Sequence, residues 1–169
     1  MPESPEQKNK RQFLERLNSY VWDRQISIFF DDYEDTLDAI EHSAKIRENL
    51  PRAFPDSPFL YRLCKTRPKP QLIEAIGIPE SEPKAVPFLV FFTTNFECET
   101  SELNTRVSKW IGASVNVMQQ KFSDTRKTKY ASSVSNQRPH DLKAFFGDRK
   151  ITRSTLLNKK KLVKKDSVG

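Results

Sequence analysis

Residues 86–129 read VPFLVFFTTNFECETSELNTRVSKWIGASVNVMQQKFSDTRKTK. The stretch opens on the most apolar run of the chain, Phe88-Leu89-Val90-Phe91-Phe92. It crosses an acidic connector, Glu97-Cys98-Glu99, enters a helical pattern with Gly112 at its middle, and ends in a basic segment. A short apolar run bounded by proline and threonine predicts a strand over 87–96, apolar on both faces and central in its sheet. Pro87 suits the first residue of such a strand, where a missing N–H costs least.

After the strand, Thr100-Ser101-Glu102 offers a hydroxyl-capped helix start. Leu103, Val107, Trp110 and Ile111 then fall on one helical face. Gly112-Ala113-Ser114 interrupts, and Val115, Met118 and Phe122 recur at helical spacing. Two short helices joined by a glycine turn predict a helix-turn-helix-like corner over 103–123. The second helix would offer its outer face to a major groove, with Ser114, Asn116, Gln119 and Gln120 on it, since Asn and Gln pair with adenine edges. Lys109, Lys121, Arg126, Lys127 and Lys129 would hold phosphates. Two residues depart from the motif: Lys121 stands at an apolar position, and Val115 at an exposed one. A glycine between amphipathic helices also suits any helical domain.

Upstream, Ser4-Pro5-Glu6 is a helix start, followed by Phe13, Leu14, Leu17 and Val21 at helical spacing, with Tyr20 and Trp22 extending that face. Residues 25–30, QISIFF, alternate as a strand. A helix is predicted from about Asp32 to Leu50, with Tyr33, Leu37, Ile40 and Ala44 as its inward stripe and Pro51 as its end. Prolines crowd residues 51–87. Ser57-Pro58 is read as the start of a short helix carrying Phe59, Leu60 and Leu63, and Pro70 as the start of another, stopped at Gly77. Asp31, Asp32, Glu34 and Asp35 could in principle hold a divalent cation, but acids in a first turn ordinarily cap a helix and offset its dipole.

Downstream, residues 130–138 read as a serine-rich linker. Pro139-His140-Asp141 can start a short aromatic helix carrying Leu142, Phe145 and Phe146. The end of the chain holds Arg149 and Lys150, then Lys159, Lys160, Lys161, Lys164 and Lys165, a phosphate-binding or import-like run.

Composition agrees with an ordered core and a solvated remainder. The 169 residues include 12 Phe but only 4 Gly, and 36% are hydrophobic. Few glycines argue against phosphate loops and against a chain of tight hairpins. Charge is unevenly placed. Residues 1–102 carry 13 Lys and Arg against 18 Asp and Glu, a net of −5. Residues 103–169 carry 16 against 4, a net of +12, which together give the chain's +7. A segregated basic half is the electrostatic footprint of a phosphate-binding protein. Cys64 and Cys98 stand alone, without zinc-ligand spacing, and no P-loop, GxGxxG or HExxH occurs. No apolar run reaches the roughly 18 residues that span a membrane.

The sequence therefore predicts an α+β fold, a small sheet with strands near 25–30 and 87–96 packed with several helices. Residues 1–10 would be a flexible N-terminus, 11–130 the domain, and 131–169 a basic, partly disordered extension. The expected function is non-catalytic nucleic-acid binding, DNA rather than RNA, by an intracellular protein that would be nuclear in a eukaryote. The alternative is a protein interaction or assembly factor whose acidic N-terminal and basic C-terminal faces meet different partners, a second copy included. No cofactor, metal or membrane is expected.

Overall fold

The computed structural model describes residues 5–30, 36–66, 86–136 and 155–165. Five strands form one antiparallel sheet: β1 (Arg24–Phe30), β2 (Phe59–Thr66), β3 (Val86–Thr93), β4 (Val115–Lys121) and β5 (Thr155–Leu157), in the spatial order β4-β1-β3-β2-β5. Among the described residues four α-helices accompany them: α1 (Pro5–Ser19), α2 (Thr36–Ala53), α3 (Thr100–Ile111) and α4 (Asp124–Asn136). This is an α+β architecture. From β1 to β4 the chain follows a split βαβ plan, in which α2 joins β1 to β2 and α3 joins β3 to β4.

β3 occupies the middle of the sheet, as its doubly apolar run predicts. Leu89, Val90, Phe91 and Phe92 are all fully buried, because both faces are covered. On one face α2 and α3 lay Ile46, Leu50, Leu103, Val107 and Ile111 over Ile26, Ile28, Leu89, Phe91, Val115 and Val117. On the other, α1 brings Phe13 and Leu17, and α4 brings Tyr130 and Ala131, over Leu60, Val90 and Phe92. Phe92 meets the rings of Phe13, Phe122 and Tyr130 at 6.0, 4.7 and 5.0 Å.

Several expectations are corrected. The stretch after Gly112 is a strand, so there is no helix-turn-helix. Gly112 does take positive φ, at 67°, but as the C-cap that closes α3. Beyond it the alternation of Val115, Asn116, Val117 and Met118 governs: the valines are buried and their neighbours exposed. The helical spacing of Val115, Met118 and Phe122 is incidental, since an antiparallel ladder of seven register pairs with β1 rewards an extended chain. Residues 59–63 are likewise strand and not helix. Ser57 Oγ donates to the carbonyl of Asn95 at 2.8 Å and caps nothing. The helix does not stop at Pro51 but runs to Ala53. Its described buried side is Ser43, Ile46 and Leu50, and Ala44, expected inward, is exposed; the side chains of Tyr33, Leu37 and Ile40 lie outside the described residues. α1 ends at Ser19, which leaves Val21 38% exposed and beyond the helix.

Pro5 lies within α1, so residues 5–10 are helix and not a free end. The serine-rich 130–136 completes α4, whose start is fixed by Ser123 Oγ accepting from the Arg126 N–H at 3.2 Å. Residues 155–165, expected in an extension, are built into the fold. β5 pairs with β2 through Phe59, Leu60 and Tyr61. Asn158 Nδ2 donates to the carbonyls of Pro51, Phe54 and Ser57 at 3.2, 3.1 and 2.9 Å. Residues 163–165 then run against 19–21, with Val21 N–H to Val163 O at 2.8 Å and Lys165 N–H to Ser19 O at 2.9 Å. The acids at 31–35, the helix expected at Pro70 and the aromatic turn at 139–147 lie outside the described residues.

Candidate nucleic-acid interface

The registers place one row of residues across the end of the sheet: Lys121, Arg24, Thr93, Phe59 and Leu157. Past this row the chain makes most of its described connections. Residues 19–23 arrive from α1, 122–124 leave for α4, 94–99 lead to α3, and 158–165 return from β5. Basic residues remote in sequence therefore converge here. Lys121 and Arg24 are cross-strand neighbours. Lys164 bridges to Tyr20, and Lys165 follows it at the C-terminus of α1, where a cation is favoured by the helix dipole. Lys159, Lys160 and Lys161 form a 3₁₀ turn just beyond β5, and all three are exposed. Among the described residues, Lys161 of this turn forms an ion pair, with Asp56 at 3.7 Å and both side chains exposed.

Arg126 and Lys127 sit in the first turns of α4. Arg126 is exposed, and its Nε donates to Gln25 Oε1 at 3.3 Å. Lys127 is 7% exposed. Burial pushes its ammonium below the usual lysine range, Lys165 pushes it further the same way, and Asp124 opposes them. Lys129 is exposed on the same helix.

The sheet separates the polar residues expected on one reading surface. Gln119 points to the α2–α3 face, where its Oε1 accepts from Arg24 at 3.1 Å and its Nε2 donates to the Cys98 carbonyl at 2.9 Å. Gln120 points to the opposite face, with Asn116. Ser114 precedes β4 at the far end of the sheet, and Lys109 is exposed on α3, across the sheet from α4. Arg149 and Lys150 lie outside the described residues. The predicted set thus divides. Lys121, Arg126, Lys127, Lys159, Lys160, Lys161, Lys164 and Lys165 gather at one end of the sheet, Lys129 lies one turn further along α4, and Lys109, Ser114, Asn116, Gln119 and Gln120 lie elsewhere.

Sequence reading missed Arg24 as a member of the basic end. No local signal could have found it, since its partner Lys121 is identified only once 115–121 is known to be a strand. A cleft of about 540 Å³ lies beside this pair, lined by Asp23, Arg24, Asn95, Phe96, Glu97, Lys121, Phe122 and Ser123. Its acid and base walls are mixed. Thr94 Oγ1 donates to Asp23 Oδ2 at 3.1 Å, which holds that carboxylate on the loop. Cys98 stands nearby with its thiol pushed up by burial and by Glu102, the opposite of an activated nucleophile. Among the described residues no group of three or more His, Cys, Asp or Glu could hold a metal ion, and no helix is long and apolar enough to cross a membrane.

Compared with known family models, curated proteins and solved structures, the chain has no match.

Proposed function

We propose that this is a non-catalytic nucleic-acid-binding protein that engages phosphates at the Arg24–Lys121 end of its sheet. The observation that carries the reading is the convergence there of cations from three separate stretches, Arg24, Lys121 with Arg126, and Lys159 to Lys165. Exposed cations that outnumber the acids beside them, here Asp23, Asp56, Glu97 and Asp124, raise the local potential and favour a polyanion. The corner expected to read a major groove is replaced by β4, so base recognition by a helix has no support, and DNA loses its preference over RNA.

The alternative, an assembly factor with separate acidic and basic faces, is weakened by the topology. β4 and β5, from the basic half, pair with β1 and β2, from the acidic half, in one sheet.

The test is a titration at several salt concentrations. If about five phosphates are neutralised, the log–log slope should be about −4.5 on duplex DNA and about −3.5 on a single strand. Lys164→Glu with Lys165→Glu should weaken binding and flatten the slope by about one to two units. A salt-independent interaction, or one indifferent to these changes, would remove the reading.

A further inference from the structure

The face under α1 and α4 is not covered throughout. α1 lies toward β3 and β2, where Phe13 packs on Phe92 at 6.0 Å and under the Arg62 guanidinium at 5.1 Å. α4 crosses the Arg24 end, holding Gln25 through Arg126 and Phe92 through Tyr130. Along β4, Asn116 is exposed, Met118 is 54% exposed and Gln120 is half-buried, all pointing to this face. Beside Asn116, on β1, stands Phe29, and beside Phe29, on β3, stands Phe88. The two rings are half-buried and stacked, with centroids 5.1 Å apart and planes 21° apart.

We infer that this open part of the sheet takes single-stranded nucleic acid, with unpaired bases stacked at Phe29, Phe88 and Met118 and the backbone held by Arg126 and Lys129. The inference rests on the nucleic-acid reading above and names its substrate class. Three observations lead to it. An aromatic pair on adjacent central strands offers π-surface to any base, whatever its sequence, but only to a base whose own face is free, which excludes a closed duplex. Arg126 and Lys129, three residues apart, share a side of α4, and neither is in an ion pair among the described residues. The path from Gln120 to Asn116 is four residues of strand, about 13 Å, and starts beside Gln25, which holds Arg126; Lys121, next along the strand, points to the opposite face. A protein occupant fits less well. Met118 is the one large hydrophobic on this strand that is exposed, far short of the roughly 800 Å² per partner of a stable protein interface. RNA and single-stranded DNA share the chemistry described, unpaired bases on a phosphate backbone.

The experiment uses the full chain and three probes of equal length and sequence: a ribo single strand, a deoxy single strand and a deoxy duplex, each with one 2-aminopurine. Anisotropy should report single-strand binding at least about tenfold tighter than duplex binding, with 2-aminopurine fluorescence quenched on the single strands as the base stacks. Phe29→Leu with Phe88→Leu keeps apolar volume and removes the rings. It should weaken single-strand binding by about tenfold or more, abolish the quench, and leave duplex binding and the salt slope unchanged. Met118→Glu, at an exposed position, should weaken single-strand binding with an unchanged melting temperature, and it keeps the test open if the leucine variant does not fold. A clear preference for the ribo or the deoxy strand assigns the source and supports the site. Equal affinity for duplex and single strand, or single-strand binding indifferent to both variants, overturns this inference. The basic-end reading survives that result if the Lys164 and Lys165 reversals still weaken binding. A dimer abolished by Met118→Glu would give the face to a second copy and overturn it as well. No binding of wild type to any of the three probes overturns both readings.

Discussion

The two faces of the sheet are built from the same strands and differ in what they bury. Under α2 and α3 the layer is almost purely apolar, from Ile26 and Phe91 to Leu103 and Ile111. Under α1 and α4 the buried set includes Gln25, Ser27, Arg62 and Lys127 beside Phe13 and Phe92. The first face is the drier of the two, although Ser43 and Thr93 are buried on it and Arg24, Gln119 and Lys121 stand at its edge. The mixed face holds polar groups whose burial works against stability unless they are partnered, and it leaves Met118 in solvent. The mixed face is where the single-strand site is sought, whereas the Arg24–Lys121 pair borders the other face.

The largest effect that can test this contrast is on the dry face. Phe91 is fully buried between Phe59 and Tyr61, with ring centroids at 6.1 and 5.9 Å. Phe91→Ala should cost about 3–5 kcal/mol in chemical denaturation, while Met118→Ala on the open face should stay within about 0.5 kcal/mol. Comparable losses at the two positions would mean that the faces are equally packed.

The next effect concerns the segment that brings the terminal lysines to the sheet. Asn158, at φ 52°, satisfies three carbonyls with one amide nitrogen. Asn158→Asp keeps the shape and the tolerance for positive φ, but sets an acceptor against three acceptors. The expected loss is about 1–3 kcal/mol in melting experiments, together with faster amide exchange at Val21, whose N–H bonds Val163. Unchanged exchange would show that 155–165 docks without this anchor.

What was legible in the sequence follows from where the deciding interaction lies. β1 and β3 were legible because alternation and apolar run length are local, and both strands are buried by their own composition. The body of α1 was legible from Phe13 and Leu17, and Gly112 from its positive φ. β4 was not, because Val115, Met118 and Phe122 satisfy a helical period while Val115 and Val117 satisfy a strand period. Only β1, some ninety residues away, decides between them. β2 was hidden by Ser57-Pro58, which imitates a helix start. All of α4, which the sequence reading did not predict, and the entry of 155–165 into the sheet depend on the Phe92–Tyr130 contact and on Asn158, and neither leaves a periodic trace. At the candidate site the residue types were legible and their grouping was not. Gln119 and Gln120 look equivalent in sequence, yet the pleat sends them to opposite faces.

That pair gives a finer comparison of the faces. Gln119 links Arg24 to the Cys98 carbonyl, so Gln119→Ala should cost about 1 kcal/mol. Gln120→Ala should fall within about 0.5 kcal/mol and act, if at all, on single-strand affinity. Denaturation curves and titrations on the same two variants separate the roles, and equal stability losses would contradict the assignment of faces.

The smallest effect carries the sharpest sign. Lys127 is buried, its ammonium held below the usual range by desolvation and by Lys165. A lysine whose folded pKa is lowered favours the neutral form on folding. Its contribution is fully present above the unfolded value of about 10.4 and is lost as pH falls through the lowered folded value. At neutral pH the charged group is therefore a net cost, though its methylene stem is buried with it. Lys127→Met keeps the stem and removes the charge. The variant should melt about 1–2 °C higher than wild type at pH 7, and the gap should close as pH is raised toward 10.4. It should also bind nucleic acid more weakly and reduce the salt slope by about one unit if this ammonium meets a phosphate. A variant that is less stable at pH 7 would mean that Lys127 holds a compensating partner. The mixed face would then be as well satisfied as the dry one, and its polar groups would no longer point to function.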